Sequence, residues 1–302
     1  MKSNKVIVFA DKTRNTYQLD KTQYDKLLRD NITKHYKKAD ESTVGEINHE
    51  LGNTANKLDI EGKIEIMAKK QAFLTLKDHK ENFENNQPCR LINPAKSNMG
   101  VISKQIIEKI SSKVRSLNQA NQWKNSHEVI DWFTKLDNKQ SVSFTTFDIV
   151  DFYPSISEDL LLSSLNYAGQ FIEISEDDKS IILHARRTLL FDDDTPWEKR
   201  DNSAQFEVSM GSYDGAKICK LVGLYMLHKL DRRFNNNKHT GLYRDDGLAA
   251  FRNMGPRTAE KMKKEIKDVF KQAGLRITIE TNLKVVNYLD ITLNLLTEKY
   301  YP

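Results

Sequence analysis

Cysteine is almost missing from this chain. Its two cysteines, Cys89 and Cys219, have no paired spacing, which argues against a disulfide scaffold or a zinc site and fits a reducing compartment. The seven histidines are scattered and form no H-x-x-x-H pair. No apolar run approaches the roughly 20 residues of a membrane-spanning helix, so no membrane partner is expected. A secretory signal is absent too: Val6 to Ala10 is too short, and Asp11-Lys12 interrupts it. The expected location is intracellular, nucleus or cytoplasm left open. Internal repeats, low-complexity tracts and long linkers are also lacking.

What is present is a core-forming chain. It has 302 residues, 38% hydrophobic and 29% charged, enough for one large domain or two smaller ones. The net charge of +5 permits nucleic-acid binding without demanding it. Strand-like runs cover 5–10, 71–76, 89–93, 142–150, 275–280 and 285–295. Helical stripes include Tyr24, Leu27, Leu28 and Ile32 behind Asp20 as cap, a helix capped by Ser157, and one over 258–273 closed by Gly274. Residues 181–190 read as a helix and 191–211 as a hairpin with Trp197 and Phe206 on opposite arms. Asp192-Asp-Asp194 reads as a solvated turn. Mixed elements with antiparallel hairpins predict an α+β fold of fused subdomains.

Two adjacent aspartates, Asp245 and Asp246, sit between the apolar flanks Leu242-Tyr243 and Leu248 to Phe251. The pattern predicts strand, tight turn, strand, with both acids at the tip. Neighbouring carboxylates repel, and a chain tolerates them most easily around a divalent cation such as Mg²⁺ that keeps water and phosphate ligands. A polar hairpin tip is the plain alternative. A second acid, Asp148, ends the strand-like run 142–150. If that strand pairs beside the Asp245 hairpin, acids from two strands share two metal ions, the arrangement for in-line phosphoryl transfer.

At these residues a resemblance emerges. FDIVDFYPSI (Phe147 to Ile156), MGSYDGA (Met210 to Ala216) and LYRDDGLAAF (Leu242 to Phe251), in this order, resemble motifs A, B and C of a reverse transcriptase palm. The likeness extends over nearly the whole chain and is nearest to Penelope-like retroelement reverse transcriptases. ADKTRNTYQLDKTQYDKLL resembles their N-terminal segment, LTLKDHKENF and CRLINP their fingers, and VNYLDITLNL their primer-grip region.

The resemblance implies a right-hand polymerase: an N-terminal region over 1–70, fingers over 71–140, and a palm over 141–302 with fingers helices inserted at about 157–196. Its palm sheet would be antiparallel, RRM-like and packed on helices. It implies Asp148, Asp245 and Asp246 as catalytic metal-binding acids, the Ile149 carbonyl facing the metal, and Mg²⁺ (two ions, with Mn²⁺ possible) as cofactor. Tyr153 matches the steric gate against ribonucleotides, and the Asp151 amide the triphosphate contact. Gly211 matches the motif B glycine, where the backbone approaches the template base pair. Lys80 and Arg90, with Lys77 as a second candidate, match the triphosphate-binding fingers cations. Lys284 matches the motif D lysine that protonates pyrophosphate, and Tyr243 flanks the primer end. Motif B departs from the pattern: Gly215-Ala216 replaces Ser-Pro, and Tyr213 and Asp214 are atypical. Implied partners are an RNA template, a DNA primer and dNTPs. Lys299-Tyr-Tyr-Pro302 follows a strand-like run directly, which reads as a truncation before a thumb. That ending keeps a second reading open, a non-catalytic nucleic-acid-binding remnant of the same fold.

Overall fold

Val142 to Ile149 is rich in β-branched and aromatic residues and is buried along almost its whole length, as suits a strand flanked on both sides. In the computed structural model, which describes residues 4–60, 67, 69–81, 83–200, 205–235, 239–252 and 254–302, this run lies inside a five-stranded sheet. In chain order the elements begin β1 (Lys5–Phe9), β2 (Thr16–Asp20), α1 (Lys21–His35), β3 (Tyr36–Lys38), α2 (Glu41–Lys57), β4 (Phe73–Leu76), α3 (Phe83–Asn86), β5 (Cys89–Ile92) and α4 (Asn98–Asn118). Then follow β6 (Asn121–Gln122), α5 (Ser126–Thr134), β7 (Val142–Ile149), α6 (Phe152–Ser155), α7 (Glu158–Ala168), α8 (Glu176–His184), β8 (Leu190–Asp192) and β9 (Thr195–Lys199). The chain closes with α9 (Gly215–Phe234), β10 (Thr240–Tyr243), β11 (Asp246–Arg252), α10 (Pro256–Gln272), β12 (Ile277–Leu283), β13 (Val285–Tyr288), β14 (Ile291–Asn294) and β15 (Lys299–Tyr301). Among the described residues no helix is long and apolar enough to cross a membrane.

Two units divide the chain: 1–105 with 176–215, and 106–175 with 216–302. Residues 106–140 belong to the second unit because α5 supplies Val129, Trp132 and Phe133 to the core beneath β7.

In the second unit the sheet order is β12-β7-β11-β10-β6. All neighbours are antiparallel except β6, which joins β10 in parallel. Alternation along β7 gives each face its own partner. Val142 and Phe144 join Leu248, Ala250, the α5 residues, and Val286, Tyr288 and Leu293 of the β13–β14 hairpin. Phe147 points the other way, 5.3 Å from Phe270 of α10, and Phe251 meets Phe234 of α9 at 6.0 Å. Helices therefore cover one face, and the β13–β15 sheet with α5 covers the other. The α10 helix starts two residues before the expected 258, with Pro at its first turn, and is followed by Gly274 at φ +74, the stop that its sequence predicts. Ser157 caps α7 by accepting from the Leu160 N–H, whereas Asp20 precedes α1 without a side-chain cap bond.

In the first unit the hairpins β1–β2 and β4–β5 are joined by a parallel bridge from Ala10 to Leu76. Leu28 and Ile32 of α1 pack on Leu74, Leu190 and Trp197. The region after 176 differs from expectation. Its helix ends at His184, and Leu190 is already in a strand, paired with Trp197. A short apolar run reads equally as helix or strand, and here the sheet takes it. Phe206 bridges Arg187 and does not face Trp197. Asp193 and Asp194 form the exposed turn with φ of 46° and 59°, the left-handed pair that a two-residue hairpin needs. Asp192 is not solvated: it is buried and accepts from Gln71 Nε2 at 2.8 Å.

Candidate active site

The pairing of β11 with β7 sets Asp246 directly opposite Asp148, two steps beyond the pair Leu248 and Thr146. Cross-strand partners project to the same face, with Cβ atoms about 4.5–5.5 Å apart. Tyr243 pairs with Asp246, which leaves Arg244 and Asp245 as a two-residue turn. Arg244 adopts φ 54°, the left-handed conformation such turns require, and its guanidinium lies over the Tyr243 ring at 5.3 Å. The Asp245 carbonyl accepts from the Ile149 N–H at 3.0 Å, which ties the turn to the end of β7. Three aspartates are thus gathered at one strand end, Asp148 exposed and Asp245 and Asp246 half-buried.

Two aromatic residues brace this arrangement. The buried Tyr288 hydroxyl donates to the Asp246 carbonyl at 2.6 Å. Burial, then the nearby Asp246 carboxylate, raises the Tyr288 pKa well above that of an ordinary tyrosine, so the hydroxyl keeps its proton for that bond. Phe147 lies across Gly247, its cross-strand partner, where any Cβ would strike the ring. The glycine after the aspartates therefore answers to packing as well as to turn chemistry.

Past β7 the chain turns through Asp151, at φ 49°, into the short helix α6 that carries the partly buried Tyr153. The Val150 N–H donates to the Arg276 carbonyl at 2.9 Å, and the Arg276 guanidinium lies 3.8 Å from the Asp151 carboxylate. Both side chains are exposed, and such a pair adds little stability. Its significance is placement of a cation at the acid end of the sheet.

The structure does not bring Lys284 there. Its ammonium donates to the carbonyls of Gln140 at 3.0 Å and Val142 at 2.5 Å. Val142 begins the eight-residue β7, about 20 Å from the Asp148 end at roughly 3.3 Å per residue. The cause is strand direction. β12 runs antiparallel to β7, entering with Ile277 opposite Ile149 and leaving with Leu283 opposite Phe144. A residue after Leu283 must fall at the far end, and Arg276, just before the strand, falls beside the acids. Sequence reading missed Arg276, although strand polarity held the signal.

Gly211, Lys80 and Arg90 belong to the first unit. A Cβ on Gly211 would strike the Asn93 carbonyl and Pro94. Ser209 fixes the same approach, its hydroxyl donating to the Asn93 carbonyl and accepting from the Gly211 N–H at 3.1 Å. The atypical Asp214 has a structural reason. Its carboxylate is fully buried, ion-paired with buried Arg186 at 2.5 Å, and accepts from Ser103 Oγ at 2.6 Å. Tyr213 is exposed, with Lys96 Nζ 5.6 Å from its ring centre. Lys80 is exposed in the β4–β5 hairpin, as is its neighbour His79, and Lys77 is half-buried. Arg90, on β5, pairs with Asp11 at 2.8 Å.

Among the described residues no group of three or more His, Cys, Asp or Glu side chains stands close enough to hold a metal ion. The donors near the end of β7 are instead a few carboxylates at the strand ends of the sheet. This set fits a hard cation such as Mg²⁺, which binds through one or two carboxylates and takes further ligands from water and substrate phosphates.

Neither a protein-family model nor a curated protein matches the sequence. Solved structures do match. A telomerase from Candida tropicalis, in its apo form, superposes with a TM-score of 0.66 at 10% identity, over 98% of this chain and 56% of that one. A Candida albicans telomerase in complex with a fragment of telomeric RNA gives 0.64 at 10% identity, over 96% and 52%. The RNA-dependent RNA polymerase of a human picobirnavirus gives 0.55 at 10% identity, over 92% and 64%. The chain spans about half to two-thirds of the length of these structures. At such identity the likeness defines the fold: a nucleic-acid polymerase fold of the reverse-transcriptase type.

Proposed function

We propose that this chain is the catalytic core of an RNA-directed DNA polymerase, nearest in sequence pattern to Penelope-like retroelements, which adds deoxynucleotides to a primer 3′-hydroxyl on an RNA template. The carrying observation is the β7–β11 register that sets Asp148 across from Asp246, with Asp245 in the turn tied to Ile149. In this reading Asp148 and Asp245, with the Ile149 carbonyl, hold Mg²⁺ or Mn²⁺. The bound ions supply charge neutralisation at the attacking and leaving oxygens. Asp246 adds charge, and its main chain is fixed by Tyr288. In the first unit Lys80 and Arg90, with Lys77 as a second candidate, are read as triphosphate-binding cations, and in the second the Asp151 amide as a triphosphate contact. Gly211 lets the backbone approach the template base pair. Tyr243 flanks the primer end.

Likeness to a viral RNA polymerase favours a second reading, ribonucleotide synthesis on the same fold. Tyr153 separates the two. An aromatic side chain beside the sugar blocks a ribose 2′-hydroxyl, so the protein is expected to prefer dNTPs, and Tyr153→Ala to lower the dNTP/rNTP ratio by about 10–100-fold, the range of a steric pocket. Single-nucleotide primer extension with matched dNTP and rNTP measures this. An unchanged ratio removes Tyr153 from the gate, and a wild-type preference for rNTPs supports the second reading.

The two cations flanking β12 give another expectation. Arg276→Ala should lower kcat about 10-fold, equal to about 1.4 kcal/mol of lost charge stabilisation. Lys284→Ala should leave kcat nearly unchanged and cost about 1–2 kcal/mol of stability through its lost carbonyl bonds. Steady-state extension and thermal melts of both variants test this. The reverse pattern would return the role to Lys284.

A further inference from the structure

The β1–β2 turn is held to the β4–β5 hairpin by main-chain and side-chain bonds together. The Asp11 N–H donates to the Leu76 carbonyl at 2.8 Å, beside the bridge of Ala10 to Leu76. One oxygen of Asp78 accepts from Thr13 Oγ1 at 2.5 Å, Asn15 Nδ2 at 2.8 Å and the Tyr17 hydroxyl at 3.0 Å. These bonds hold the Asp78 carboxyl below its usual pKa, the Thr13 bond contributing most. The turn's side chains are thus anchored through Asp78, beside the main-chain bond of Asp11.

Asp11 does something else. One oxygen pairs with Arg90 Nη1 at 2.8 Å, while the other is buried with no hydrogen-bond partner among the described residues. The contact is therefore one-pronged. It fixes the guanidinium, and Arg90, 29% exposed, keeps its other N–H groups for an anion. Between the two anchored positions Asp11 and Thr13 stands Lys12, exposed. Lys12 and Lys80 both lie near enough to His79 to lower its pKa, after burial, which is the larger cause.

We propose that Asp11 and Asp78 are positioning residues that lock the β1–β2 turn onto the β4–β5 hairpin, so that Lys12 joins Lys80 and Arg90 in one site for the triphosphate of the incoming nucleotide. The inference rests on the polymerase reading and adds to it a cation and two acids. Holding an arginine fork and two lysines in place before binding removes the ordering cost that flexible cations meet on gripping phosphate. The acids serve this by geometry and touch no substrate.

The test uses the full chain with primer-template, reading KM for dNTP, kcat, binding of the fluorescent probe mant-dATP, and the melting temperature. Asp11→Asn, Asp78→Asn and Lys12→Ala are each expected to raise KM and the mant-dATP Kd by about 10-fold, equal to about 1.4 kcal/mol, with a smaller change in kcat. Asp11→Glu should recover most of the loss. Lys12 is exposed, so its variant keeps the fold intact whatever becomes of the acids. Unchanged KM and Kd in Lys12→Ala and Asp11→Asn, with only a lower melting temperature in the latter, would make the Asp11–Arg90 pair structural and overturn the inference while the polymerase reading stands. A wild-type chain that neither binds mant-dATP nor extends a primer would overturn both.

Discussion

Asp148→Asn lowers nucleotide incorporation by about 10³-fold or more, and leaves both the fold and primer-template binding nearly as they were. The size follows from the chemistry asked of this residue. A carboxylate that holds a metal ion against developing charge contributes several kcal/mol to the transition state, and each 1.4 kcal/mol is about tenfold in rate. The unchanged fold follows from position. Asp148 is exposed at the end of β7, and its main chain stays in the ladder between Asp246 and Thr278. Asn keeps the shape and removes the charge. Single-turnover extension, with anisotropy for primer-template affinity, gives both numbers. A loss below about tenfold would remove Asp148 from the metal set, because so small an effect falls short of a missing metal ligand.

Asp214→Ala has the second large effect, on stability. Asp214 and Arg186 have side chains 0% and 1% exposed. Removing one partner leaves the other charge buried, which typically costs about 3–5 kcal/mol. Arg186 cannot relieve the strain by losing its proton, its Nε already has no partner among the described residues, and its Nη1 bond to Ser212 Oγ at 3.2 Å is a weak substitute. For a unit of this size the expected fall in melting temperature is about 10 °C. The double variant Arg186→Met/Asp214→Leu should regain most of it, since an apolar pair of similar volume often matches a buried ion pair. Thermal and urea unfolding of the single and double variants measure this. A single variant within about 1 kcal/mol of wild type would contradict the burial argument.

Much of the fold was legible because periodicity states it. The continuous apolar run of β7, the alternating 275–280 stretch, and the stripe of α10 with Gly274 behind it lie close to where their patterns place them, whereas 285–295, which reads as one run, folds back on itself as the β13–β14 hairpin. A tight turn at the acids was legible from turn chemistry, but its two residues are Arg244 and Asp245, and Asp246 already pairs within the sheet, opposite Tyr243 and Asp148.

What stayed hidden depends on partners distant in sequence. Nothing in MGSYDGA announces that Asp214 is buried against Arg186 and Ser103. Gly247 looks like a turn residue until Phe147 is seen across it. The run 181–190 contains both a helix end and a strand start, which local pattern cannot divide. Lys284 was assigned by its distance along the chain, and strand polarity decided where it lies. Asp11 and Arg90 lie in separate hairpins, so the sequence could propose the cation but not the acid beside it.

The most direct measurement is dTTP incorporation on poly(rA)/oligo(dT) with Mg²⁺ or Mn²⁺, the wild-type chain beside Asp245→Asn. The account predicts RNA-templated extension by the wild type and its loss in the variant, with the variant's melting temperature unchanged. Equal extension by both proteins, or none by a folded wild type that binds primer-template, would contradict it.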